Sequence, residues 1–290
     1  MKQPLRKDLE PVATSFIVKE LVESHFDPNW HFHPHYQLFL VEEGTGTRFI
    51  GDSIKPFGPG DLVFLGPNLP HLWRSDQAYF DKHSGLITRG IVVYFADDFL
   101  GSDFFDKQEM LPLRQLLTHA RQGLEWTGAT RSYVEAALRA MTKQTGSFDR
   151  VISLLVLLNA LSHAPDYRYL TSPGYTNTVK PTETDRMQLV HDYVLGHFPD
   201  NLSLETVADL AGMTPPAFCR YFKARANKTF SEFVSEVRIG HACKLLLNGK
   251  LSVTQISFES GFRTLSNFNR QFKEITGQTP SSYVKTYRHL

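Results

Sequence analysis

The chain has 290 residues, enough for two domains, and its 41% hydrophobic and 21% charged residues are ordinary for a soluble globular protein. Two cysteines, Cys219 and Cys243, exclude a disulfide framework and a cysteine-rich zinc module. The net charge of +1 is unevenly spread: residues 185–290 hold 13 Lys+Arg against 9 Asp+Glu, whereas the rest holds 18 against 21, so the basic C-terminal part leans toward nucleic acid.

The N-terminal MKQPLRKDLE has no apolar stretch like that of a signal peptide. The longest apolar run, near 151–161, is interrupted by Ser153 and Asn159 and is too short to span a bilayer. A cytoplasmic protein without membrane contact is expected.

Residues 16–95 read as strands. The runs LFLV (38–41), TRFI (47–50), DLVFL (61–65) and GIVVYF (90–95) are short and β-branched or aromatic, and EEGTG, PFGPGD and LGPNLP separate them. Such spacing predicts an all-β sandwich or barrel.

Helical spacing follows after about residue 104. FFDKQEMLPLRQLLTHARQ predicts a helix interrupted near Pro112, and SYVEAALRAMTKQ and SFDRVISLLVLLNALSHA predict two more. In the last, Val151, Leu154, Leu155, Leu158 and Leu161 form one apolar stripe. Two readings of it are equally open: core packing, or the seam of a homodimer. PDYRYLTSPGYTNTVKPTET (165–184) is polar, carries three prolines and reads as a linker.

Seven helices are predicted beyond it, at 185–198, 203–211, 214–226, 229–247, 252–260, 264–275 and 280–288. Ser203 and Ser252 stand as N-caps, Gly212 and Gly261 as C-terminal stops, and Pro280 at a first turn. Two stretches repeat. LETVADLAGMTPPAFCRYFKARANKTF aligns with VTQISFESGFRTLSNFNRQFKEITGQTP, pairing Gly212 with Gly261 and Arg220–Lys223 with Arg270–Lys273. A short helix, a glycine turn and a second amphipathic helix make a helix-turn-helix, whose second helix enters the major groove of DNA. The 19-residue segment between the two, roughly 28 Å long as a helix, would hold the recognition helices about one DNA turn apart, roughly 34 Å.

In those second helices Phe218 with Phe222, and Phe268 with Phe272, lie at i, i+4 and are assigned to the core. That leaves Pro216, Cys219, Arg220 and Lys223 outward in the first, and Ser266, Asn267, Arg270 and Lys273 in the second. Arg pairs with guanine and Asn with adenine through two hydrogen bonds, so the second helix is better equipped to read bases. The lysines suit phosphate.

These residues resemble the double helix-turn-helix domain of the AraC/XylS family of bacterial transcription regulators. LSLETVADLAGMT, FCRYFK and VTQISFESGFRTLSNFNRQFKEITGQTPSSY carry the likeness over some hundred residues. By position, the resemblance puts base contacts at Pro216, Cys219, Arg220, Ser266, Asn267 and Arg270. This chain departs in having Ser257 where the family usually has Ala, and Val284 where Arg is frequent.

The N-terminal strands carry a second motif. HFHPHYQ (31–37) places three histidines in five positions, and imidazole is the commonest metal ligand. His31-x-His33-x3-Gln37-x6-Gly44 resembles the first cupin motif, with Gln for Glu, and Gly60-x5-Gly66-x-Asn68-x2-His71 resembles the second, with two substitutions. The resemblance implies a small β-barrel. Residues two apart in a strand share a face, so His31 and His33 are expected to point inward together, with His71 arriving from another strand. Three imidazoles and an amide could hold a divalent metal. Gln is a weaker ligand than Glu, and AraC-type regulators usually use the barrel to bind a small effector without chemistry. No cofactor is therefore expected. The effector-pocket candidates are His31, His33, Gln37, His71, Arg48 and Trp73, with Trp30 beside them.

The sequence thus reads as an α+β multidomain protein. A cupin-like β-barrel with helices (1–164) precedes a linker (165–184) and an all-α double helix-turn-helix domain (185–290). The expected function is a ligand-responsive, sequence-specific transcription regulator, not an enzyme, sensing a sugar or related metabolite. Double-stranded DNA and a second copy of the chain are its expected partners, and contact with RNA polymerase is compatible with that role. The rival readings are a metal-dependent cupin enzyme with a DNA-binding tail and a ligand-independent nucleoid or stress activator.

Overall fold

The structure is a computed structural model and describes residues 15–101, 103–144, 147–175 and 184–287. The chain forms two compact units, one holding most of the strands with the first three helices, the other the remaining seven helices.

The first unit opens with seven strands: β1 (Phe16–Glu23), β2 (Tyr36–Glu43), β3 (Gly46–Ile50), β4 (Ser53–Phe57), β5 (Leu62–Leu65), β6 (His71–Ser75) and β7 (Thr88–Phe95). Helix α1 (Leu111–Ala120), β8 (Leu124–Trp126), α2 (Gly128–Lys143), α3 (Ser147–His163) and β9 (Tyr167–Tyr169) complete it. The strands form a six-stranded sheet, ordered β1-β7-β2-β5-β8-β9, and a three-stranded sheet, β4-β3-β6. Alternation along the strands divides the large sheet's side chains between two cores. Phe39, Val41, Val63, Leu65 and Val92 join Phe26, Ile50, Phe57 and Trp73 in one. Leu38, Leu40, Phe64, Ile91 and Val93 meet α1, α2 and α3 in the other. Because β2 and β5 are covered on both faces, LFLV and LVFL read as unbroken apolar runs rather than alternating ones.

Three expectations change here. Pro112 does not interrupt α1 but sits in its first turn, where a missing N–H costs nothing. The segment read as a linker from residue 165 adds β9 to the large sheet, paired with β8, and buries Leu170 and Thr171. The rest of that segment, 176–183, lies outside the described residues. On α3, Leu154, Leu158 and Leu161 are buried within this chain, beside Leu138 and Met141 of α2, so that stripe is core and not a seam.

The second unit holds α4 (Thr184–His197), α5 (Leu204–Leu210), α6 (Pro215–Ala226), α7 (Phe230–Asn248), α8 (Val253–Glu259), α9 (Leu265–Thr276) and α10 (Pro280–Tyr287). All seven fall within a residue or two of the predicted spans, because local chemistry sets their ends. Ser203 and Thr264 accept backbone N–H groups of α5 and α9. Ser252–Gln255 and Thr229–Glu232 are capping boxes. Gly261 turns α8 into α9 at φ +83°, and a Cβ there would stand 2.7 Å from the Phe198 carbonyl oxygen. Phe218, Phe222 and Phe230 pack around the first helix-turn-helix, and Phe262, Phe268 and Phe272 around the second.

Candidate functional site

The first site is built where the two sheets of the barrel meet. His31 and His71 form an isolated antiparallel bridge, with N···O distances of 3.2 and 2.9 Å. The β5–β6 loop folds back so that the Asn68 N–H donates to the His33 carbonyl at 2.8 Å. Asn68 takes φ +60°, the left-handed conformation that the motif's glycine serves and that Asn tolerates best among other residues. These contacts bring His31, His33 and His71, all buried, to a common point: one ring nitrogen of each lies within 4.8 Å of the others.

The tautomers follow from the partners. His31 Nδ1 lies 2.7 Å from the Asn29 carbonyl, His71 Nδ1 2.7 Å from the Leu69 carbonyl, and His33 Nδ1 3.0 Å from the His35 carbonyl. A carbonyl only accepts, so Nδ1 of His31 and of His71 carries the proton and a neutral ring there keeps its lone pair on Nε2. His33 meets an oxygen at both nitrogens, so with its proton on Nδ1 the Nε2 faces Gln37 acceptor to acceptor unless the amide turns to donate or a cation lies between them. Burial lowers the His33 pKa to about 4, so this ring is neutral at neutral pH. Gln37 Oε1 stands 2.9 Å from His33 Nε2.

This donor set fits a divalent metal. Neutral imidazoles with the second nitrogen pinned by a carbonyl are the usual form of histidine ligands. Two ligand atoms about 2.1 Å from one ion and at right angles lie about 3.0 Å apart, close to the spacing of His33 and Gln37. The histidine nitrogens, within 4.8 Å of one another, would need to draw together to reach that spacing.

Beside the cluster lies a cavity of about 800 Å³, within the size range of small-molecule sites. His31, Gln37 and Trp73 line it, with Phe26, Phe39 and Tyr94 as further apolar or aromatic wall. Lys19, Glu23 and Asp27 supply charge. Burial pushes the Tyr94 phenol well above its ordinary range, so it stands as a protonated hydroxyl. The expectation for Arg48 does not hold. Its guanidinium bridges Asp61 at 2.9 Å and Glu125 at 2.5 Å, is almost wholly buried, and is absent from the cavity wall. Trp73 Nε1 donates to the same Asp61 at 3.4 Å, while its ring reaches the cavity. Trp30 is buried and does not line the cavity. The sequence reading missed Lys19, His25, Asp27, Asn29 and Tyr94. For Lys19 the signal was the alternation of β1, whose residues Ile17, Lys19, Leu21 and Glu23 share the cavity face; His25, Asp27 and Asn29 lie beyond the end of β1, and Tyr94 lies on β7.

The second site is the exposed face of α6 and α9. Pro216, Cys219, Arg220 and Lys223 are all exposed on α6, and Ser266, Asn267, Arg270 and Lys273 on α9, as the core assignments of Phe218, Phe222, Phe268 and Phe272 require. On α9 the polar face carries paired-hydrogen-bond groups one turn apart, Asn267 and Arg270. Of the four residues on α6 only Arg220 offers one.

Known proteins match the domains that carry the two sites. Residues 207–286 match the helix-turn-helix domain family, and residues 19–78 match the cupin domain family. The chain is 31% identical over 264 residues to the uncharacterized HTH-type transcriptional regulator YdeC of Bacillus subtilis (strain 168), covering 88% of this chain and 85% of that one. An uncharacterized HTH-type transcriptional regulator of Staphylococcus aureus is 32% identical over 99 residues, 34% of this chain, and the match spans only 13% of that longer protein. Among solved structures, the C-terminal domain of AraT, a response regulator from Geobacillus stearothermophilus, is 27% identical and covers 35% of this chain and 84% of its own, with a TM-score of 0.33.

Proposed function

This chain belongs to the AraC/XylS family of transcription regulators, and we propose that it couples a small-molecule signal to sequence-specific DNA binding. The carrying observation is the cavity of about 800 Å³ that opens onto the His31–Gln37 edge of the cluster. The effector is a sugar or related metabolite. The Trp73 and Phe39 rings suit the apolar faces of a sugar ring, and His31, Gln37 and the Tyr94 hydroxyl suit its oxygens. Among the described residues no helix is long and apolar enough to cross a membrane.

In this reading α9 reads bases through Asn267 and Arg270, α6 contributes mainly Arg220, and Lys223 and Lys273 hold phosphates. The active species is a homodimer. Its contact is the outer face of α3, where Phe148, Ile152 and Val156 recur at i, i+4, i+8 and stay exposed in the single chain. An effector shifts DNA binding only by favouring one conformation over another.

The test is a thermal-shift screen of sugars, sugar acids and phosphorylated sugars, since a ligand that binds the folded state raises the melting temperature by mass action. Saturable shifts that also change operator affinity support the reading. A chain that no compound stabilises, but that still binds its operator, supports a ligand-independent activator. The histidine cluster favours the second reading, a metal-dependent enzyme with a DNA-binding tail. Turnover of a stabilising compound by the metal-loaded protein would establish it.

A further inference from the structure

The cupin motif implies a divalent cation on His31, His33, His71 and Gln37, and we propose that the neutral Gln37 makes such a centre a receptor for an anionic oxygen ligand, a 2-hydroxy-carboxylate such as a sugar acid, entering from the adjoining cavity. The inference rests on the effector reading and narrows its ligand class. All four ligands are uncharged when they hold an ion: an imidazole binds a cation through a bare Nε2 while its Nδ1–H stays on a carbonyl, and the amide carries no charge. A bound dication therefore keeps its full charge. A glutamate in place of Gln37 would cancel half of it.

The cavity wall completes the charge balance. Lys19 is positive and Glu23 and Asp27 are negative, so the loaded site retains one net positive charge with Gln37 and none with Glu. His31 and Gln37 belong both to the cluster and to the cavity wall, so the coordination positions left by four protein ligands face the cavity. A carboxylate and its neighbouring hydroxyl can occupy two such positions, and hard oxygen donors suit a divalent ion with imidazole ligands. The remaining carbon chain lies against Phe39 and Trp73. A neutral sugar offers the same hydroxyls without the charge, and binds more weakly.

Cobalt(II) provides the readout, because its visible absorption reports ligand number and exchange. The full-length chain, stripped with chelator, is titrated with Co²⁺, then with gluconate or glucose. Expected are one bound Co²⁺ per chain, a saturable spectral change with gluconate, and none with glucose at the same concentration. Gln37→Glu should keep Co²⁺ and lose gluconate affinity by about tenfold or more, as one added charge a few ångströms away requires. His71→Ala should lose Co²⁺ binding. If the stripped chain takes up no Co²⁺, the cluster is only a His33–Gln37 hydrogen-bonded group with the amide turned to donate, and the proposal falls. The effector reading would survive that result, since it is tested separately by thermal shift in chelator. If Gln37→Glu binds Co²⁺ and gluconate as tightly as wild type, or if glucose matches gluconate, the charge argument is wrong.

Discussion

Arg270 donates a guanidinium N–H to the side-chain oxygen of Asn267 at 3.0 Å, one turn back on α9. Its other terminal nitrogen meets Glu274, one turn forward, at 3.3 Å. The two candidate base readers are thus tied to each other before DNA arrives, and the guanidinium is stretched along the exposed face. An exposed pair of this kind is worth only about 0.3–0.5 kcal/mol, so DNA can replace the Glu274 contact at small cost. Arg270→Ala should weaken binding by about 1–3 kcal/mol and relax preference at one base pair. Lys273→Ala should weaken all sequences alike and flatten the salt dependence, because phosphate contacts release counterions without reading sequence. Binding competition over a randomised operator at two salt concentrations separates them. A uniform loss with Arg270→Ala would make Arg270 a phosphate clamp.

The Arg48 triad predicts a different kind of loss. Arg48 lies between Asp61 and Glu125 with side-chain exposures of 2%, 9% and 16%. Arg48→Ala leaves two carboxylates in a poorly solvated site without their cation, a change that typically costs about 3–5 kcal/mol. The expected result is a lower melting temperature for the barrel transition and no change in operator preference when the protein is folded. Glu125→Gln, which keeps a hydrogen-bond acceptor for Arg48, should cost less. An Arg48→Ala chain that melts like wild type but loses a stabilising ligand would return Arg48 to the effector site.

The contrast between these two residues shows what was legible in the sequence. Arg270 sits on a helix whose caps and phenylalanines are all local, so its outward position followed from spacing alone. Arg48 finds its partners 13 and 77 residues away, and nothing near it in the chain announces them. The histidine cluster was legible because its motif fixes His31, His33 and Gln37 within seven residues. The cavity wall was not, because Lys19 and Tyr94 become neighbours only through the pairing of β1 with β7. The strands β8 and β9 have three residues each, too few for a period to emerge, and β9 hid inside a polar, proline-bearing stretch. The spacing of the α3 stripe marks it as apolar and fits either role. Burial by α2 and by the strand face decides for core.

That decision reverses the informative mutation for the dimer. Leu158 is fully buried within one chain, so Leu158→Asp places a charge in the core and should unfold the first unit whatever the oligomeric state. Ile152, 46% exposed on the opposite side of α3, is the residue to change. Ile152→Asp should leave the melting temperature within a few degrees of wild type and give monomers in sedimentation at micromolar concentration. A folded Ile152→Asp chain that remains dimeric would place the contact away from this face of α3.

The second unit carries its own pH signature in His191. It lies on α4 with its ring stacked on Phe233 of α7, centroids 5.1 Å apart and planes 13° apart. Burial lowers its pKa to about 3, from 6.5 for an exposed imidazole. Between those values the unfolded chain binds a proton that the folded chain does not. Stability from the neutral ring is therefore complete above about pH 6.5 and declines as the pH falls toward 3. At full effect the slope is about 1.4 kcal/mol per pH unit. His191→Phe keeps an aromatic ring against Phe233 and removes the titration. By pH 5 wild type should have lost about 2 kcal/mol more of its pH 7 stability than the variant has. Urea unfolding of the full chain at the two pH values, followed by a probe in the helical unit, measures the difference. Parallel losses in both proteins would mean that His191 takes up its proton in the folded state at an ordinary pKa, with water or a carboxylate reaching the ring.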